Sequence, residues 1–156
     1  MYLLLMKIII SEAQHKRLFE EEQKVLHIPD IRIFGNDWDN LQRFLESKGN
    51  PPYSLGGNLD LVGLKVESLG NLVSVEHDLY AYDTPLKSLD NLTSVGGLMD
   101  ISNTQIESLG NLSFVGGSLV LKGTPLFPKD ASPRSKQRME DMIRRKVYVQ
   151  GNILYY

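Results

Sequence analysis

The chain has no cysteine, only three histidines and a single tryptophan. Without thiols neither a disulfide framework nor a thiolate metal site can form, and the composition leans towards a reducing compartment. His15, His27 and His77 have no metal-ligand spacing and no nucleophile motif beside them, so the residues point to no enzyme, no metal and no cofactor. Long apolar runs are also missing. MYLLLMKIII, at the start, is interrupted by Lys7 and reaches about half the length of a membrane helix. It lacks the basic n-region and cleavage site of a signal peptide. It therefore reads as a strand or cap segment of a cytoplasmic protein with no membrane partner, and Met6 serves as well as Met1 for its natural start.

The charge is uneven. Lys/Arg against Asp/Glu number 7 to 8 over residues 1–50, 4 to 9 over 51–130 and 6 to 2 over 131–156. An acidic body with a basic tail disfavours nucleic-acid binding by the whole chain and leaves one basic segment to explain.

Residues 51–130 divide into four blocks of 20: PPYSLGGNLDLVGLKVESLG, NLVSVEHDLYAYDTPLKSLD, NLTSVGGLMDISNTQIESLG and NLSFVGGSLVLKGTPLFPKD. A fixed period of this size marks stacked units, each burying its apolar face against its neighbours. Column 9 of the blocks holds Leu59, Leu79, Met99 and Leu119, and column 11 holds Leu61, Ala81, Ile101 and Leu121. That alternation predicts one short strand per block with these side chains inward. From column 16 the apolar positions recur every three residues, as in Ile106, Leu109, Leu112 and Val115, which suits a 3₁₀ or extended return better than an α-helix. The pairs Gly56-Gly57, Gly96-Gly97 and Gly116-Gly117 invite a phosphate-cradle reading. No Lys-Ser/Thr follows them, and their recurrence at one corner points to positive φ and close stacking instead. Asn71, Asn91 and Asn111 share column 1. They read as turn-bonding residues, and the sequons at Asn91 and Asn111 as accidents of the repeat.

The flanks read as caps. Ser11 to Gln14 fits a capping box for a helix over 12–24, with Leu18, Phe19, Val25 and Leu26 along one side. Ile31-Arg32-Ile33 alternates as an edge strand, and Asp37 caps a helix over 38–48 that Gly49 stops, burying Trp38, Leu41, Phe44 and Leu45. Beyond Asp130, Ser132 and Pro133 start a helix to Arg145, with Met139, Met142 and Ile143 on one face and Glu140/Arg144 and Asp141/Arg145 pairs at i, i+4. Residues 149–155 reproduce columns 5 to 11 as a last strand, giving about six strands in one sheet.

Leu79-x-Ala81-x-x-Thr84-x-Leu86, Met99-x-Ile101-x-x-Thr104-x-Ile106 and Leu119-x-Leu121-x-x-Thr124-x-Leu126 resemble the core of the leucine-rich repeat family. Thr stands where the family usually has Asn, and Leu64 marks the first block as an edge unit. The resemblance implies an α/β repeat: a short leucine-rich-repeat solenoid with a parallel β-sheet on its concave side, 3₁₀ or extended convex returns and helical terminal caps. Its parts would be a cap with one edge strand over 1–50, four repeats over 51–130, and a helix and final strand over 131–156. The family's ubiquitin ligases need a catalytic cysteine, which is absent. With its MKIIISEAQ start, the chain is also similar to small cysteine-free repeat proteins of bacteria and tailed bacteriophages, which implies action in an infected host's cytoplasm or a minor place in a virion.

In this family the outward columns of the strand side carry recognition. Here they present Asp60, Val62, Asp78, Tyr80, Tyr82, Leu98, Asp100, Val120 and Lys122, flanked by Arg32 and Phe34 at one end and Leu154 and Tyr156 at the other. An apolar and aromatic strip among acids fits a noncatalytic protein-binding face for a basic or mixed partner, or a face covered in a homo-dimer. The weaker alternative is nucleic-acid contact through Arg134, Lys136, Arg138, Arg144, Arg145 and Lys146, residues that suit a solvated capping helix equally well.

Overall fold

The computed structural model describes residues 24–156. The strand or cap expected over 1–10 and the helix expected over 12–24, but for Lys24, lie outside the described residues. Among the described residues the architecture is mixed α/β, with two parallel sheets and two helices.

The chain enters at β1 (Leu26–Ile28), makes a 3₁₀ turn (Ile31–Phe34) and forms α1 (Trp38–Ser47). Each block then contributes two short strands. Those at columns 2 to 5 are β2 (Tyr53–Leu55), β4 (Leu72–Val75), β6 (Ser94–Val95) and β8 (Phe114–Val115). Those at columns 9 and 10 are β3 (Leu59–Asp60), β5 (Leu79–Tyr80), β7 (Met99–Asp100) and β9 (Leu119–Val120). Helix α2 (Pro133–Lys146), β10 (Tyr148–Val149) and β11 (Ile153–Leu154) end the chain. The first sheet runs β1-β2-β4-β6-β8-β10 and the second β11-β9-β7-β5-β3, all parallel.

The strand at columns 9 and 10 is where the alternation places it, pairing in register from block to block, Leu79 with Met99 and Met99 with Leu119. The first sheet was not expected. Columns 2 and 5 are three residues apart and carry no strand signal, yet stacking identical blocks brings any extended stretch to strand-pairing distance of its copy. The return at columns 16 and 19 is extended rather than helical, and among the described residues its strand-type pairing is the single bridge between Ser68 and Ser88. The core is one continuous cluster between the sheets and under both helices.

At the glycine pairs the expectation of positive φ fails. Positive φ falls instead in columns 13 and 20, on Gly63, Asp83, Asn103 and Gly123 and on Gly70, Asp90 and Gly110. What columns 6 and 7 need is close approach. A Cβ on Gly96 would overlap the carbonyl oxygen of Glu76, and one on Gly116 would overlap that of Gly96.

Two polar ladders hold the blocks. The buried hydroxyls of Thr84, Thr104 and Thr124 donate to the carbonyl oxygens of Ala81, Ile101 and Leu121, each at 2.7 Å, so they close their own block's turn. The column-1 asparagines work between blocks. The amides of Asn71, Asn91 and Asn111 donate to the carbonyl oxygens of Asn50, Gly70 and Asp90 at 2.6, 3.1 and 3.3 Å.

The caps follow their signals with four corrections. Asp37 caps α1 by accepting the Asn40 N–H at 3.0 Å, and Ser132 caps α2 through Ser135 at 3.2 Å. Ile31 to Ile33 form no strand. Asp30 accepts the Arg32 N–H and holds its guanidinium at 2.8 Å, which caps a 3₁₀ turn that Gly35 ends at φ 73°. Val25 and Leu26, read with the preceding helix, instead lead into and open β1. Met142 points away from the core and is 67% exposed, while Met139 and Ile143 pack. Arg144 meets Glu140 at 3.1 Å as expected, but Asp141 takes the Gln137 amide at 3.0 Å in place of Arg145.

Candidate functional site

The second sheet turns columns 9 and 11 into the core and columns 8, 10 and 12 outward, so the face follows from the strand period. Tyr80 and Asp100 lie in register on neighbouring strands, and Asp60 and Val120 extend the same row. Val62, Asp78, Tyr80, Tyr82, Leu98, Asp100 and Val120 are half-buried, and Asp60 and Lys122 are exposed. All nine predicted residues therefore share one surface. Arg32 and Phe34 do not join it, because they sit in the 3₁₀ turn, where Phe34 packs on Phe44 with ring centres 5.1 Å apart.

The carboxylates differ in what they hold. Asp78 is a strut: its Oδ1 accepts the Leu98 N–H at 2.7 Å, its Oδ2 accepts the Tyr80 hydroxyl at 3.0 Å, and its own N–H donates to Asn58 Oδ1 at 3.1 Å. It thereby fixes the orientation of Tyr80. Asp60 and Asp100 close small turns by accepting the N–H groups of Val62 and Ser102 at 3.0 Å, and Asp100 also takes the Ser102 hydroxyl at 2.6 Å. The bond to Asp78, then partial burial and the charges of Asp78, Asp60 and Asp100, push the Tyr80 hydroxyl above the ordinary tyrosine range. Tyr80 thus stays neutral, a rigid ring with acids on both sides. No cluster of three or more histidines, aspartates or glutamates among the described residues is arranged to hold a metal ion.

The basic residues of α2 are not gathered in the same way. Arg134, Arg138 and Arg145 recur at helical spacing on one side, whereas Lys136, Arg144 and Lys146 point elsewhere around the helix. Arg144 is engaged by Glu140, and the Lys136 ammonium donates to the Lys129 carbonyl oxygen at 3.4 Å. Arg144, Arg145 and Lys146 occupy the last turn, where cations complement the helix dipole.

One polar cluster escaped the sequence reading. Asp90 accepts the Ser68 hydroxyl at 2.5 Å, the Gly70 N–H at 2.9 Å and the Ser88 hydroxyl at 2.7 Å. Burial raises its pKa, but the two hydroxyls and the main-chain N–H groups of Gly70 and Leu69 outweigh that and hold the carboxyl below its ordinary range. The available signal was Asp90 at a column held by glycine in the first and third blocks. At α1, the buried Tyr53 hydroxyl takes the Gln42 amide at 3.3 Å and burial pushes it up to about 12.

Among the described residues no helix is long and apolar enough to cross a membrane. Comparison with protein-family models, curated proteins and solved structures finds no match to the chain.

Proposed function

We propose that the chain is a short leucine-rich-repeat solenoid and that the outward face of its second sheet is a noncatalytic binding surface for a protein partner of basic or mixed charge. The observation that carries this reading is the Tyr80–Asp78 lock. A tyrosine with its hydroxyl fixed at 3.0 Å presents a large contact area with little conformational entropy left to lose on binding. Tyr82, Leu98, Val62 and Val120 surround it with apolar surface, and Asp60 and Asp100 supply negative charge for steering. The repeat reading rests on the 20-residue register, the threonine turns and the asparagine ladder. Absence of cysteine suits action in a reducing cytoplasm, and the resemblance to phage proteins suits a host-interaction role.

The test is partner capture by the full chain and by its Tyr80→Ala/Tyr82→Ala variant, followed by binding of the purified partner to both. The reading expects at least about a hundredfold loss of affinity, the size of one strong aromatic anchor, with the melting transition nearly unchanged. Undiminished binding by the double variant would place the site elsewhere.

A further inference from the structure

The outward face of the second sheet breaks its own pattern at one position. Column 8 lies just past the block corner, and in three blocks it carries a side chain that accepts the N–H of the next copy of the column. Asn58 Oδ1 accepts from Asp78 at 3.1 Å, Asp78 Oδ1 from Leu98 at 2.7 Å, and Ser118 Oγ from Asn152 at 3.2 Å. The third block has leucine there. Leu98 holds no acceptor, so the Ser118 N–H receives nothing from this ladder, and one block junction goes without a bond that the others have. The corner does not account for the exception. Gly96-Gly97 precedes Leu98 as Gly116-Gly117 precedes Ser118, and the main-chain bonds of column 7 run through both, from Gly97 N–H to the His77 oxygen at 2.9 Å and from Gly117 N–H to the Gly97 oxygen at 2.8 Å. Burial does not account for it either, since Leu98 is half-buried and stands outside the core cluster of the described residues. A position that gives up a repeating bond to keep an apolar side chain on an outward face serves contact at the expense of stability.

The neighbours of Leu98 define what it meets. Asp78 stands beside it in the same column, about 5 Å across the sheet, and Asp100 follows it on the same side of the strand, about 7 Å along. Tyr80 and Val120 flank Asp100 in register. Resting on the binding face proposed above, we infer that Leu98 is the specificity-determining contact of that face, and that its partner is a protein segment setting an aliphatic side chain on Leu98 and a lysine or arginine beside it, over Asp100. The aliphatic contact supplies affinity by burying apolar area. The carboxylates of Asp78 and Asp100 favour a flanking cation and reject, by like charge, a segment with an acid next to its apolar residue.

Leu98→Asn separates contact from stability, because Asn58 shows that asparagine completes the ladder in this column. In the full chain it should slow amide exchange at Ser118 by about three- to tenfold, the worth of one hydrogen bond, and leave the melting transition unchanged or higher. Unchanged or faster exchange at Ser118, or a lower melting transition, would make the leucine structural and overturn the inference. The binding probe is a library of random linear peptides selected on the immobilised full chain. Enriched peptides should carry an aliphatic residue next to Lys or Arg and bind Leu98→Asn at least about tenfold more weakly, the worth of one buried leucine side chain, while Leu98→Met stays within about threefold. Tyr80→Ala/Tyr82→Ala should lose the same peptides. Peptides that tolerate Leu98→Asn but not the tyrosine variant overturn the role of Leu98 and leave the face standing; peptides that tolerate both overturn the face as well. Enrichment of acidic or wholly polar peptides, or of none, overturns the partner assigned here. So does a dimer of the free chain that Leu98→Asn dissociates, which would give the face to a second copy.

Discussion

At the C-terminal end the chain lays Tyr148–Val149 on the first sheet and Ile153–Leu154 on the second, whereas at the N-terminal end Leu26–Ile28 extends the first sheet and Ile31–Phe34 curls away from the second. Both flanks offer alternating apolar residues. The difference lies in what precedes them. Gln150-Gly151-Asn152 repeats the block corner, and the Gly151 N–H donates to Gly117 at 2.9 Å as a further turn of the stack. Pro29-Asp30 begins a corner against Gly56 and Gly57, but the Asp30 carboxylate then captures the Arg32 N–H and guanidinium and forces a tight turn. A local side-chain cap thus overrides strand alternation where only one neighbouring strand competes with it.

The comparison predicts that interior blocks tolerate less than the N-terminal edge. The largest effect is expected at the corners. Gly96→Ala drives a methyl into the Glu76 carbonyl and should cost about 3 kcal/mol or more in chemical denaturation, as overpacking against backbone does. The end position is roomier, since a Cβ on Gly56 comes to 2.5 Å of the Pro29 oxygen, and Gly56→Ala should cost less. Equal losses would mean that both corners are equally rigid.

A smaller contrast is expected at column 14. Thr104→Val removes a buried hydroxyl bonded at 2.7 Å and should cost about 1–2 kcal/mol. Leu64→Thr, at the edge position of the same column, should change stability by no more than about 0.5 kcal/mol, as exposed substitutions do.

A further effect is tied to pH. Asp90 joins the first block to the second, and its folded pKa lies below the unfolded value. Its contribution is therefore fully present above the ordinary carboxylate range and disappears as pH falls through the lower, folded pKa. Asp90→Asn keeps a residue that tolerates the φ of 47° and should lose about 1 kcal/mol at neutral pH, with the gap to the unsubstituted chain closing in acid. A gap that persists below that range would mean that the carboxylate charge is not what holds the blocks.

Much of this was legible in the residues because it depends on period. The 20-residue repeat gave the strands at columns 9 and 10 and the shared surface of Tyr80, Tyr82, Leu98 and Asp100, while local capping chemistry gave the helix starts at Asp37 and Ser132. What escaped depends on stacking or on particular side-chain contacts. Columns 2 to 5 show no alternation, and they become strands only because copies lie beside them. The need for glycine at Gly96 and Gly116 comes from a neighbouring carbonyl rather than from φ, a distinction that composition does not make. Asp78 read as one acid among three, and its role as the strut that orients Tyr80 depends on Leu98 presenting its N–H from the next block.

The most direct measurement of the binding account is amide hydrogen exchange on the full chain, free and with its purified partner bound. The account predicts slowing confined to the second-sheet side, around residues 60–62, 78–82, 98–102 and 120–122, with exchange in α2 unchanged. Slowing centred on residues 134–146, with the Tyr80 face unaffected, would contradict it.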